Sequence, residues 1–119
     1  LDAPCSATGT FRRHPDVLHR ITDADIASLA QLQVDLLARA AAWVKPGGLL
    51  VYATCSLEPA EGEEVIRAFL ASNLDWRISP AGSGEVPEGV AIAPEGWVRT
   101  LPDSRPALDG FFIARLIAP

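Results

Sequence analysis

A short apolar run bounded by helix-ending residues constrains the fold of this chain more than any other feature. Residues 49–53, LLVYA, follow directly on residues 45–48, KPGG, where a basic residue, a proline and two glycines are typical of a helix end. A continuous apolar run of this length is typical of a parallel strand buried on both faces. We therefore predict a buried strand at 49–53 that follows a helix.

Helical and strand patterns flank this run on both sides. Thr22 and the acids after it are typical of a helix start, and apolar residues recur at helical spacing over residues 26–44. A second helix is predicted from Glu58 through about residue 71. Further strands are predicted at 74–78, 98–101 and, most clearly, 111–116, with loops or turns at 6–22, 79–97 and 104–109. Helix, strand, loop and helix in this order indicate an α/β fold.

Length and composition limit the class of protein. The chain has 119 residues, which allows at most one domain, and its 49% hydrophobic content is that of a globular protein. No apolar run approaches the roughly 18–20 residues needed to cross a bilayer, and the first residues do not resemble a signal peptide. We expect a cytoplasmic protein without membrane contact.

The two cysteines, Cys5 and Cys55, are the residues with the most reactive chemistry. Cys55 closely follows the predicted strand, and Cys5 would lie at an equivalent place if Leu1 ends a strand. Ligands of open α/β sheets bind at the carboxyl ends of strands, so both thiols would face one cleft. Such a thiolate can act as a nucleophile, although a lone cysteine is more often a small buried apolar residue. Only His14 and His19 accompany the cysteines, so no metal site is expected.

Several motifs occur in order along the chain. They are a first-cysteine motif with DAPCSATGT and RRHPD at 1–16, a connecting segment from QLQ to KPGG at 31–48, a second-cysteine motif with YATCS at 52–58, and a closing motif with RTLP and DGFFIA at 99–114. In this order and spacing the motifs resemble those of the NOL1/NOP2/Sun family of RNA cytosine-5 methyltransferases, which includes RsmB-like members. One departure is Ala7, which stands where the family usually has glycine.

The resemblance implies a particular fold and a particular extent. It predicts the C-terminal portion of a Rossmann-like S-adenosylmethionine-dependent methyltransferase sheet, truncated at its N-terminal half. In the family, the glycine-rich cofactor loop and the acid that holds the cofactor ribose precede the first-cysteine motif. We therefore expect residues 1–119 to form a partial catalytic domain that is inactive alone.

The resemblance also assigns roles to individual residues. In the family a thiolate adds to C6 of cytosine, so that C5 can attack the methyl group of S-adenosylmethionine. This thiolate corresponds to Cys55, and the cysteine that assists release corresponds to Cys5. Asp2 would meet the edge of the base, and Asp2 with Pro4 would form part of the cofactor site.

An RNA, with ribosomal RNA as the expected substrate, is the partner that the resemblance implies. The residues expected to contact it are Ser6, Thr8, Gly9, Arg12 and Arg13. The two arginines could hold phosphates or belong to a solvated basic loop, and the other three could shape a loop against the base or form an ordinary turn. The net charge of −5 argues against a freely sliding nucleic-acid binder, but residues 1–20 are basic on balance.

Other interpretations come from different classes of protein. The chain could be a non-catalytic α/β module that packs on a partner or dimerises through an exposed sheet edge. A cysteine phosphatase is a further alternative, since Cys5 precedes an arginine. That class needs five residues between the cysteine and the arginine, whereas six separate Cys5 from Arg12.

The remaining polar and aromatic features have simpler explanations. We predict that the acids of the second helix are its solvated start, that the Asp-Gly pair is a turn and that the tryptophans pack in or beside the core. These residues are Glu58, Glu61, Glu63, Glu64, Asp109, Gly110, Trp43, Trp76 and Trp97.

Overall fold

The strand predicted at 49–53 is present as β1 (Leu49–Thr54) and lies beside a longer last strand, β4 (Phe111–Ile117). A computed structural model describes residues 1–103 and 107–119, so residues 104–106 of the predicted turn lie outside the described part. In the four-stranded sheet β4 pairs antiparallel with β1, with β2 (Arg77–Ile78) and with β3 (Val98–Thr100). The predicted α/β class is confirmed.

Helices α1 (Val17–Arg20), α2 (Asp23–Ala41) and α3 (Glu63–Ser72) complete the described elements together with 3₁₀ turns at Thr8–Thr10 and Pro59–Glu61. The start of α2 is a capping box, as Thr22 suggested. The Asp25 backbone N–H donates to Thr22 Oγ1 over 3.2 Å, and the Thr22 N–H donates to Asp25 Oδ2 over 2.9 Å. The prediction of a long loop over 6–22 was right only in part, because this segment also contains α1 and the first 3₁₀ turn.

The core lies between one face of the sheet and the two longer helices. Alternate residues of β1 and β4 point to this face, and α2 and α3 close over them. The buried apolar residues of this layer are Leu37, Leu50, Tyr52, Val65, Ile66, Phe69, Phe112, Ala114 and Leu116. This packing fixes β1, and therefore the loop that follows it, against both helices.

The opposite face of β1 is open, which corrects the prediction of a parallel strand buried on both faces. Leu49 and Val51 are 51% and 38% exposed, whereas Leu50 between them is 7% exposed. Successive side chains of a strand point to opposite faces, and the longer helices cover only one of them. Among the described residues, the parallel pairing of β1 is an isolated bridge between Asp2 and Ala53.

The turn between α2 and β1 has the geometry that its sequence indicates. Gly47 has φ of +69°, a conformation that favours glycine, and the Gly48 N–H donates to the Lys45 carbonyl oxygen over 2.8 Å. Trp43, in the same turn, is 83% exposed, so its predicted packing was wrong, whereas Trp97 is buried and Trp76 contacts Phe69 edge-on.

Across the part of the chain that the structure describes, none of the helices combines the length and the apolar character that crossing a membrane requires.

Candidate active site at the two cysteines

Residues 1–3 run parallel to β1 and bring the two cysteine loops to one edge of the sheet. The Ala53 N–H donates to the Leu1 carbonyl oxygen and the Ala3 N–H donates to the Ala53 carbonyl oxygen, each over 2.9 Å. Cys5 and Cys55 each follow this paired stretch by two residues. The expectation that both cysteines lie at the carboxyl ends of neighbouring strand segments is met by this geometry.

The two thiols contact each other. Cys5 Sγ lies 3.4 Å from Cys55 Sγ, and both side chains are partly exposed. Both are free cysteines, so two thiols lie side by side at this edge of the sheet. This is an arrangement in which one thiol can exchange a proton with its neighbour or with a bound substrate.

The environment of Cys5 favours its protonated form. Burial is the largest cause that raises the pKa of the Cys5 thiol to about 12; the interactions with Cys55 raise it further, against a hydrogen bond from the backbone at Ala7 that lowers it. A thiol with so high a pKa stays protonated at neutral pH and is a poor nucleophile. This speaks against the phosphatase alternative, which requires a thiolate at Cys5.

A buried carboxylate joins the two cysteine loops. Glu61 is completely buried, although it was predicted to be solvated. Its Oε1 accepts from the Ser6 N–H over 2.9 Å, and its Oε2 accepts from the hydroxyls of Ser6 and Ser56 over 2.5 Å each. Because these serines directly follow Cys5 and Cys55, one side chain contacts both loops.

The hydrogen bonds of Glu61 continue into the core. Gln33 Nε2 donates to Glu61 Oε1 over 3.0 Å and to the Pro4 carbonyl oxygen over 2.9 Å. The Tyr52 hydroxyl lies 2.8 Å from the Glu61 carbonyl oxygen and 3.1 Å from Gln33 Oε1. Burial, and after it the negative charge of Glu61, raises the pKa of Tyr52, so its hydroxyl stays protonated and available as a donor.

Arg99 holds the second cysteine loop from the other side. Its Nη1 donates to the Ser56 carbonyl oxygen over 2.9 Å, while Nε and Nη2 donate to the two carboxylate oxygens of Glu63 over 2.9 and 2.6 Å. Although burial raises the pKa of Glu63, the hydrogen bonds from Arg99 outweigh it and lower that pKa. Glu63 lies at the start of α3 as predicted, but it is the partner of an ion pair rather than a solvated acid.

The first cysteine loop approaches Cys55 closely at Gly9. The Gly9 N–H donates to the Cys55 carbonyl oxygen over 3.0 Å, and the Gly110 N–H donates to the Gly9 carbonyl oxygen over 2.8 Å. A Cβ at Gly9 would lie 2.0 Å from the Gly110 carbonyl oxygen, closer than any real contact. Ser6 and Thr8 in the same loop are also buried, and Thr8 Oγ1 accepts from the Leu57 N–H over 2.9 Å.

Ala7 has a backbone conformation that glycine adopts more easily. Its φ is +59° and its ψ is 22°, in the left-handed region. Among the non-glycine residues that the structure describes, Ala7 is the one with a positive φ. A Cβ in this region clashes with the following carbonyl, at a cost of roughly 1–2 kcal/mol. The departure from the expected glycine therefore places local strain two residues from Cys5.

Two arginines of the first cysteine segment share one aspartate. Arg13 Nε donates to Asp109 Oδ2 over 2.7 Å, and Arg12 Nη2 lies 3.5 Å from Asp109 Oδ1. Both guanidinium groups are exposed. Hydrogen bonding to Arg13 outweighs burial and lowers the pKa of Asp109, which therefore remains a carboxylate. The arginines thus present hydrogen-bond donors to solvent while one shared acid holds them in place.

Three residues of this site were not foreseen from the sequence: Glu61, Gln33 and Arg99. Gln33 had a usable signal, because it precedes Leu37 by one helical turn on the buried stripe of α2. A polar residue on an apolar stripe indicates a buried hydrogen-bond partner. Among residues 1–103 and 107–119, no group of three or more His, Cys, Asp or Glu side chains could hold a metal ion.

Known proteins are similar to this chain in sequence. The pattern of a family described as 16S rRNA methyltransferase RsmB/F matches residues 1–117. The ribosomal RNA small subunit methyltransferase B of Cronobacter sakazakii is 46% identical over 117 residues, which are 98% of this chain and 25% of that protein. The protein of the same name from Salmonella typhi is also 46% identical with the same coverage. The chain therefore spans a quarter of the length of these curated relatives.

Solved structures share its fold. The crystal structure of PH0851 superposes with a TM-score of 0.83 at 38% identity, over 98% of this chain and 25% of that chain. The crystal structure of NSun6 from Pyrococcus horikoshii with SFG superposes with a TM-score of 0.76 at 27% identity, over 98% of this chain and 28% of that chain. Taken together with the paired cysteines, these similarities show that the chain belongs to the RsmB/F family of 16S rRNA methyltransferases.

Proposed function

We propose that this chain is the cysteine-bearing part of an S-adenosylmethionine-dependent RNA cytosine-C5 methyltransferase that acts on ribosomal RNA. The observation that carries the proposal is the 3.4 Å contact between Cys5 Sγ and Cys55 Sγ at one sheet edge. Membership of the family supports methyl transfer to ribosomal RNA. The paired thiols support the finer statement, because C5 methylation uses a sulfur nucleophile and a group that assists its release.

In the proposed reaction Cys55 is the nucleophile. Its thiolate would add to C6 of an unpaired or flipped cytosine, and the electron pair released onto C5 would form the new carbon–carbon bond to the methyl group. The bond between that methyl group and the sulfonium sulfur of the donor would break at the same time, leaving S-adenosylhomocysteine. A base then removes the C5 proton, the C5–C6 double bond re-forms and the Cys55 sulfur leaves. Cys5 Sγ, 3.4 Å from Cys55 Sγ, is proposed to assist the departure of that sulfur.

Asp2 and Pro4 are exposed at the same sheet edge and fit the expected contacts with base and cofactor. Asp2 would accept or donate a proton near N3 of the base and so stabilise the adduct. When bound, S-adenosylmethionine supplies the methyl group. The greater part of its site is expected in the three quarters of the relatives that this chain does not span, and for this reason we propose that the chain alone is inactive.

The RNA is proposed to reach the cleft along Arg12 and Arg13. Their exposed guanidinium groups face solvent and suit contacts to phosphates. Ser6, Thr8 and Gly9 are buried, so in this proposal they set the shape of the loop that faces the base rather than bind RNA through their side chains. The same proposal assigns residues 1–119 to a partial catalytic domain and places the protein in the cytoplasm.

A second candidate, self-association of the chain without catalysis, is favoured by the open face of β1. Leu49 and Val51 are exposed there, and apolar surface of this kind associates with other surfaces. The outer edge of β1 itself is less available than predicted. Residues 1–3 occupy part of it, and the amino group of Leu1 donates to the Val51 carbonyl oxygen over 2.7 Å. Sedimentation at high concentration would detect a dimer.

A chimera tests the proposed reaction. In it, this chain replaces the matching quarter of the Cronobacter sakazakii relative, and transfer of labelled methyl from S-adenosylmethionine to cytosine C5 of ribosomal RNA is measured. We expect Cys55→Ala to abolish transfer, and Cys5→Ala to slow it while covalent RNA–protein complexes accumulate. Transfer that survives Cys55→Ala would refute the assignment of the nucleophile.

A further inference from the structure

We propose that Glu61 is a positioning residue that fixes the distance between the two cysteine loops. Its relevance to methyl transfer rests on the proposed function, but its effect on the two thiols does not. Glu61 touches neither sulfur atom, and it acts through Ser6 and Ser56, which directly follow the two cysteines.

The geometry at Glu61 suits an acceptor that serves both loops at once. Four donors converge on its carboxylate: the N–H and hydroxyl of Ser6, the hydroxyl of Ser56 and the side-chain amide of Gln33. A carboxylate can only accept, and its two oxygens have lone pairs for all four donors. Each arm is a charge-assisted hydrogen bond, which is about twice as strong as a neutral one.

The arms also connect the loops to rigid parts of the fold. Gln33 lies in the middle of α2, and the Tyr52 hydroxyl on β1 contacts the Glu61 carbonyl oxygen. Through these contacts Ser6 and Ser56 are held in position by a helix and a strand rather than by other loops. Displacing the carboxylate would therefore displace both cysteine loops.

A role in filling the core does not explain a carboxylate at this place. Burying a carboxylate is costly unless hydrogen bonds compensate, and Glu61 makes no ion pair within 4.0 Å in the described residues. The neighbouring Arg99 pairs with Glu63 instead. In our proposal this buried charge serves to fix the separation of the two loops that carry the thiols.

The separation of the thiols can be measured in this chain without any methyl transfer. Oxidised glutathione converts the two thiols to a disulfide and yields two reduced glutathiones, and the equilibrium gives the effective concentration of Cys5 relative to Cys55. The variants are Glu61→Ala, Glu61→Gln and Ser56→Ala. Glu64→Ala is the matched control, because Glu64 is an exposed acid three residues along the chain.

The expected pattern separates positioning from general stability. Circular dichroism and unfolding identify the variants that fold, and only those are compared. We expect Glu61→Ala to lower the effective concentration about tenfold, Ser56→Ala to lower it less and Glu64→Ala to leave it unchanged. Glu61→Gln should recover most of the loss, because its amide can donate to hydroxyls that turn to accept.

A folded Glu61→Ala protein with the effective concentration of Glu64→Ala would overturn the proposal. If Glu61→Ala does not fold, Ser56→Ala decides the matter: an unchanged value overturns the proposal and a reduced one supports it. In the chimera, Glu61→Ala should lower kcat with little change in KM for RNA. Loss of methyl transfer in Cys55→Ala tests the proposed function separately, so that either statement can fail without the other.

Discussion

The two faces of the sheet differ in what covers them. Leu50 and Tyr52 point into a core closed by α2 and α3, whereas Leu49 and Val51, their neighbours on the same strand, are exposed to solvent. The cysteine site is built on the edge next to the covered face, and its supports, Gln33 and Glu61, come from that layer. The covered layer therefore contributes to the positions of the two cysteine loops through Gln33 and Glu61, whereas Leu49 and Val51 on the open face point to solvent.

The largest expected effect concerns Gly9, where the first cysteine loop packs against the backbone of Gly110. Gly9→Ala would place a Cβ 2.0 Å from the Gly110 carbonyl oxygen. Relief requires the two backbones to separate, so we expect a loss of about 3 kcal/mol in the free energy of unfolding. Gly84→Ala is the control, since a Cβ there meets nothing within 4 Å and should change stability little. Equal stability of the two variants in urea denaturation would show that Gly9 and Gly110 are not in the close contact described.

A pair of neighbouring leucines tests the contrast between the faces directly. Leu50 is 7% exposed and Leu49 is 51% exposed, and both occupy the same strand. Truncation of Leu50 to alanine should cost about 2–3 kcal/mol because it leaves a cavity, whereas the same change at Leu49 should cost about 0.5 kcal/mol. Similar costs for both in denaturant unfolding would mean that the open face is covered in solution, for instance by a second copy.

A smaller effect is expected at the strained residue of the first cysteine loop. Ala7 has φ of +59°, so Ala7→Gly should raise the free energy of unfolding by about 0.5–1 kcal/mol. The same change at Ala68, which is exposed within α3, should instead lower it by about 1 kcal/mol, because glycine disfavours helix. Thermal unfolding of the two variants gives opposite shifts in Tm if the backbone at Ala7 is as described.

The smallest effect is a pH dependence of the stability that the ion pair between Arg13 and Asp109 contributes. Hydrogen bonding to Arg13 lowers the pKa of Asp109 in the folded protein. A lowered folded pKa means that the carboxylate contributes stability above its unfolded pKa of about 3.9, and that this contribution is lost as pH falls through the folded pKa. The difference in unfolding free energy between the wild type and Asp109→Asn should therefore shrink on acidification, and a difference independent of pH would contradict the ion pair.

Much of the fold was predictable because it depends on local sequence. The apolar run at 49–53 and the periodicity of α2 specify their elements through patterns that neighbouring residues share, and the capping residue Thr22 is visible in the sequence. The predictions of a short strand near 98–101 and of a final strand at 111–116 are confirmed for the same reason. The antiparallel partner of β1 was not predictable, since it lies more than fifty residues away.

The reactive residues of the candidate site were predictable from the sequence, but the residues that position them were not. Cys5 and Cys55 were identified from motifs, and the structure brings them into contact. Glu61 looked like one of several acids at a helix start, and nothing in its neighbours distinguishes it from Glu64, which is exposed. What separates the two is the packing of Ser6 and Gln33, residues distant in sequence, against only one of them.

The central claim is that Cys55 forms the bond to the base and Cys5 assists its release. The most direct test is to incubate the Cys5→Ala chimera with ribosomal RNA and S-adenosylmethionine, digest the covalent complex and map the nucleotide-bearing peptide by mass spectrometry. We expect a cytosine adduct on the peptide that contains Cys55. An adduct on any other residue, or methylated RNA from an enzyme that also lacks Cys55, would contradict it.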